Sequence, residues 1–139
     1  MKQFPSRIFH KKCHKPNSSF LFLKEQKSFF PTYGKFCLKS LDSARLTFKQ
    51  IEAGRKSIRR SVKKEGNLYI KVFPYASLTK KPNARMGKGK GSHYIWVCPI
   101  RSGQIIYELS GLSSNISLLA LSKASHKLPV RTKIISLLY

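Results

Sequence analysis

A chain of 139 residues with 28 lysines and arginines against five carboxylates carries a net charge of +23. A field of that size opposes compaction unless a polyanion neutralises it, so nucleic acid is the expected partner and an anionic membrane surface the second choice. The 41% hydrophobic content suffices for one core, whereas no apolar run approaches the roughly 18 residues of a membrane span, and three dispersed cysteines without a CxxC pair make no disulfide frame.

Residues 1–35 are rich in Lys, Phe and Ser, with Glu25 their only acid. Two readings compete. A transit peptide has this composition; so does a basic arm that orders on RNA. The segment lacks an apolar face at helical spacing, which weakens the first. Residues 1–32 are therefore expected to form a basic arm, with Arg7, Lys11, Lys12 and Lys15 on phosphates, and residues 33–139 a single domain. His10, Cys13 and His14 are ligand-type side chains, but no second half at zinc spacing follows them, so no metal is expected.

Phe36 to Leu41 reads as a first strand and Asp42 to Ala44 as a turn. The best helix follows. Thr47 and Gln50 have capping-box spacing. Phe48, Ile51, Ile58 and Val62 fall on one stripe, and Gly66 sits where a helix stops. The other face carries Lys49, Arg55, Lys56, Arg59, Arg60, Lys63 and Lys64, balanced only by Glu52 and Glu65. So lopsided a face points to RNA.

Leu68 to Phe73 alternates and is β-rich, a strand ended by Pro74. A basic loop is expected from Ser77 to Ser92. His93 to Ile100 is a second β-rich run, Arg101 to Gln104 a hairpin turn, and Ile105 to Leu109 the returning partner strand. Ile116 to Lys127 reads as a second helix with Ile116, Leu119, Ala120 and Ala124 inward; Pro129 closes it, and Val130 to Ile135 is a last strand. The predicted class is α+β: a two-layer sandwich of two helices on a mainly antiparallel sheet, with a long Gly/Lys-rich loop and a basic N-terminal arm.

That loop carries the most functional information. Lys80, Lys81, Arg85, Met86, Gly87, Lys88, Gly89, Lys90 and Gly91 combine cations with glycines at alternate positions, and no acid occurs between Glu65 and Glu108. Such glycines let backbone N–H groups approach a phosphate closely, while lysines add point charges and Arg85 a planar fork. It is not a Walker A loop, because no Lys-Ser or Lys-Thr pair closes it. Nor is it a Rossmann turn, because a strand follows where a helix is required. No carboxylate pair is available for acid–base work, and His93 and His126 have no evident catalytic partner. An enzyme and a cofactor are not expected.

The ordered set Arg45-Leu46-Thr47, Gln50-Ile51-Glu52-Ala53, Val72-Phe73-Pro74, Lys81-Pro82, Arg85-Met86-Gly87-Lys88-Gly89-Lys90-Gly91, Tyr107-Glu108-Leu109-Ser110-Gly111 and Lys127-Leu128-Pro129-Val130-Arg131-Thr132-Lys133 resembles the large-subunit ribosomal protein L-sixteen family, over roughly Tyr33 to Ile134. The resemblance implies a structural protein that binds large-subunit rRNA near the peptidyl-transferase centre, contacts A-site tRNA transiently, and borders neighbouring large-subunit proteins. It implies that residues 85–91 form the family's loop toward the catalytic centre. Gly54 departs from the family's usual alanine, and a glycine in a helix costs about 0.5–1 kcal/mol unless packing requires it. The Phe, Ile, Lys and Ser richness suggests an AT-rich organellar gene, with the mitochondrion as the expected compartment. A non-ribosomal RNA-binding or RNA-processing factor is the alternative.

Overall fold

The computed structural model describes residues 4–6, 12, 29–63, 65–83, 87 and 89–137. Its elements run β1 (Phe36–Ser40), β2 (Ala44–Thr47), α1 (Phe48–Val62), β3 (Asn67–Ile70), β4 (Ala76–Lys80), β5 (Ser92–Ile100), β6 (Ile105–Ser110), α2 (Ser114–Ser125) and β7 (Thr132–Ser136). The class is α+β with antiparallel strand pairing, as expected. The single sheet is not: the strands form a four-stranded sheet in the order β3-β6-β1-β7 and a three-stranded sheet in the order β2-β5-β4.

The split corrects the expected β5–β6 hairpin. The Arg101 to Gln104 turn exists, but it carries the chain from one sheet to the other. Its Gly103 N–H donates to Ser40 O at 2.7 Å, and Ser40 N–H returns to Gln104 O at 2.9 Å. The turn thus closes on β1. β6 then lies between β3 and β1, with Tyr107 opposite both Ile70 and Leu38. A strand flanked on both sides and covered on both faces buries nearly every residue, and Ile105 to Leu109 are all buried.

α1 begins as its sequence dictates. Thr47 Oγ1 accepts from Gln50 N–H, and Gln50 Oε1 accepts from Thr47 N–H at 2.9 Å. The helix ends earlier than Gly66: Lys63 is the C-cap, with a positive φ of 57°, and its N–H donates to Arg59 O. Ile51, Gly54, Ile58 and Val62 form the buried stripe, while Phe48 is only half-buried.

α2 turns differently from the expectation. Ser117, Ala120, Leu121 and Ala124 face inward, whereas Ile116 and Leu119 are 38% and 56% exposed. Small residues allow close approach to α1, and Ser117 satisfies its hydroxyl on Ser113 O at 2.9 Å. The core gathers Leu38, Leu46, Ile51, Ile58, Tyr107, Leu109 and Leu121 between helices and strands.

Candidate nucleic-acid interface

Two elements carry most of the described basic residues that the sequence marks as RNA contacts. On α1, Lys49, Lys56, Arg59, Arg60 and Lys63 are exposed. They recur at intervals of three, four and seven, which places them on the face opposite the buried stripe. The ion pairs among the described residues are three, and none uses these side chains: Arg55 with Glu52, Arg131 with Asp42, and Lys71 with Glu108. Arg55 is half-buried, and its guanidinium grips Glu52 at 2.6 and 2.9 Å. That hydrogen bond holds the Glu52 carboxyl below its ordinary range, and Arg131 does the same for Asp42. Three of the five carboxylates are thus committed to specific internal partners. They leave the α1 cations for an outside anion.

The second element is the β4–β5 hairpin. The expected loop beginning at Ser77 starts later, because Ser77 to Lys80 pair with β5 as strand and Ser92 belongs to β5. The alternation Ser77, Leu78, Thr79 is long enough to extend the ladder, so residues 81–91 form the connection. Lys80, Lys81, Gly87, Gly89 and Lys90 are exposed. Gly87 and Gly89 have φ of +109° and +71°, and a Cβ on either would meet nothing within 4 Å. Their requirement is therefore conformational, and it leaves backbone open at the surface. Gly91 differs. It is buried, and a Cβ there would lie 2.2 Å from Lys80 O, so this glycine closes the neck of the hairpin.

Lys12 is exposed, and its Nζ lies 3.4 Å from Lys90 O, joining the N-terminal basic segment to the hairpin at one point. Arg7, Lys11, Lys15, Lys64, Arg85, Met86 and Lys88 lie outside the described residues, as do His10, Cys13 and His14. Among the described residues no cluster of His, Cys, Asp and Glu could hold a metal, and no helix is long and apolar enough to cross a membrane.

Two features escaped the sequence. Glu108, fully buried on β6, accepts backbone N–H bonds from Thr32, Tyr33 and Gly34 at 3.2, 2.8 and 3.2 Å. Lys71 Nζ stands 3.5 Å from the same carboxylate and also donates to Thr32 Oγ1. Tyr33 stacks on Tyr69 at 4.9 Å beneath that ammonium. Residues 32–34, the exit from the basic arm, are thereby bolted to the sheet. Only the rarity of an acid in so cationic a chain could have flagged Glu108.

The other feature is a bulge. Leu78 pairs with Ile95 but Thr79 pairs with His93, so Tyr94 is one extra residue on β5. Tyr94 is 65% exposed, and Lys80 Nζ sits 5.5 Å from its ring centroid. On the opposite face, His93 Nδ1 lies 2.7 Å from Ser77 Oγ and its ring packs on Trp96 at 4.7 Å.

Comparison with known proteins gives a consistent result. A family model described as "Ribosomal protein L16p/L10e" matches residues 7–135. A protein of Rickettsia canadensis (strain McKiel), "Large ribosomal subunit protein uL16", is 49% identical over 104 residues, covering 74% of this chain and 76% of the relative. The protein of the same name from Rickettsia typhi (strain Wilmington) is 42% identical over 132 residues, covering 94% and 95%.

Proposed function

The chain belongs to the ribosomal protein L16p/L10e family, and from that membership we propose that it is a structural constituent of the large ribosomal subunit, binding rRNA and supporting translation. It is not an enzyme; its work is to bind and brace RNA. The observation that carries this reading is the family match across residues 7–135. The exposed cations of α1, set opposite the buried stripe, supply the physical means.

The finer assignment places the protein near the peptidyl-transferase centre and A-site tRNA, beside neighbouring large-subunit proteins. Residues 1–32 act as the arm and residues 33–139 as the rRNA-binding domain. Lys80, Lys81, Arg85, Met86, Gly87, Lys88, Gly89, Lys90 and Gly91 serve as one contact set. Arg55, Lys56, Arg59, Arg60, Lys63 and Lys64 form the second, with Arg55 the weakest member because Glu52 already holds it. Arg7, Lys11, Lys12 and Lys15 form the third. The relatives above are bacterial proteins; the composition favours an organellar gene, and the mitochondrion is the proposed compartment.

Salt dependence tests the contact sets. Each phosphate contact contributes roughly 0.9 to the slope of log affinity against log salt on duplex nucleic acid. Arg59→Ala with Arg60→Ala, and separately Lys81→Ala with Lys90→Ala, should each lower the slope on large-subunit rRNA by about one to two units. An unchanged slope in either pair removes that element from the interface.

A further inference from the structure

We propose that Tyr94 is a stacking platform for one unstacked RNA base, with the Lys80 ammonium placed to take the adjoining phosphate. The platform presupposes the RNA-binding function proposed above and adds a specific subsite to it.

Its position comes from the β5 bulge. An extra residue in one strand breaks the alternation of faces and re-aims a side chain. Here the break lets His93 and Trp96, three residues apart, share one face. The hydrogen bond between His93 and Ser77 and the packing on Trp96 hold that side of the ladder. Tyr94, between His93 and Ile95, is left pointing into solvent with 65% of its surface exposed. A tyrosine held in this way is preorganised: its direction is fixed by the strand while its ring stays accessible.

The surroundings select the occupant. Lys80 Nζ lies 5.5 Å from the Tyr94 ring centroid. Lys81 and Lys90 are exposed in the connection that starts one residue beyond Lys80. No acid occurs between Glu65 and Glu108. An aromatic ring beside cations, in a stretch of chain that carries no acid, suits a ligand that offers a π-face and a negative charge together. A single-stranded nucleotide is such a ligand: its base stacks on the phenol and its phosphate meets the ammonium. Bases buried in a helical stack present no free face, so the site discriminates for unpaired RNA.

The test uses the full chain, a short single-stranded oligoadenylate carrying 2-aminopurine, and a duplex RNA of equal length. Tyr94→Leu should weaken oligoadenylate binding about 5- to 100-fold and abolish 2-aminopurine quenching. It should leave duplex affinity and the salt slope unchanged. Tyr94→Phe should retain both binding and quenching. Lys80→Gln should lower the single-strand salt slope by about 0.7 while quenching persists. Both side chains are exposed, so the variants should keep the melting temperature of the parent. Equal oligoadenylate affinity for Tyr94→Leu and the parent would overturn the platform and leave the general RNA-binding function standing. Equal losses on single-stranded and duplex RNA would also overturn it. Absence of salt-dependent RNA binding by the parent chain would overturn both.

Discussion

The hydroxyl of Tyr107 occupies the space that a Cβ on residue 54 would need. An added Cβ at Gly54 would lie 2.4 Å from Tyr107 Oη, and that hydroxyl donates to Ile51 O at 2.7 Å. The phenol of a central strand thus reaches under α1 and hydrogen-bonds to its backbone. The glycine in this helix is explained by the protein's own core, without appeal to rRNA packing. Gly54→Ala should therefore destabilise the protein by about 1–3 kcal/mol through overpacking, although alanine favours helix by about 1 kcal/mol. Urea unfolding measures the change. In a Tyr107→Phe background the cost of Gly54→Ala should shrink, because the closest atom is gone; equal costs in both backgrounds would show the clash to be irrelevant.

Glu108 makes a second prediction about the same strand. Its carboxylate satisfies three backbone donors and faces Lys71. Glu108→Ala leaves those N–H groups without their acceptor, and Lys71 without a counter-charge, at a cost of about 2–4 kcal/mol. Glu108→Gln keeps one carbonyl acceptor and should cost less. Hydrogen exchange reads the local effect: the amides of Thr32, Tyr33 and Gly34 should lose protection first. Unchanged exchange there in Glu108→Ala would show that residues 32–34 are held by other contacts.

The glycines of the hairpin should not behave alike. Gly91→Ala would push a Cβ into Lys80 O and should cost about 2 kcal/mol or more, with loss of β4–β5 pairing. Gly89→Ala meets no atom and carries only the left-handed backbone penalty, about 1 kcal/mol. Thermal unfolding of the two variants gives the ranking; a Gly89 variant less stable than the Gly91 variant would contradict it.

Burial, reinforced by the charge of Glu108 and opposed by Lys71, pushes the Cys37 thiol up from an ordinary 9.0 to about 12. The folded state therefore keeps this proton where the unfolded chain releases it. Stability from this source is fully present below about pH 9 and declines as pH rises toward 12. Cys37→Ala should be less stable at neutral pH yet show a shallower alkaline decline in melting temperature than the parent. Parallel declines would indicate that the thiol ionises equally in the folded and unfolded states.

Much of this architecture is legible in the residues. The Thr47–Gln50 box and the Ile51, Ile58, Val62 stripe define α1 because local capping and periodicity agree. β2 is hidden because Ala44–Thr47 is four residues long and runs straight into the helix cap. The passage from β5 to β6 is hidden for another reason. Arg101 to Gln104 is a good turn, but a turn does not reveal which sheet receives the next strand; the Gly103–Ser40 and Ser40–Gln104 bonds decide that, and they are distant in sequence. α2 misleads because Ile116, Leu118, Leu119 and Leu121 surround the helix and define no single stripe.

The interface is legible in the same uneven way. Charge asymmetry marks the exposed α1 face, and glycine density marks the connection at residues 81–91. Tyr94 and Glu108 are not marked, since a bulge and a buried acceptor are products of register and tertiary packing.

Sedimentation of the tagged chain through a high-salt sucrose gradient, with copies counted per particle, is the most direct test of the ribosomal assignment. One copy per large subunit, retained at high salt, is the predicted result. Recovery of the chain only in light fractions with small RNA would contradict it and identify an RNA-binding factor that acts away from the ribosome.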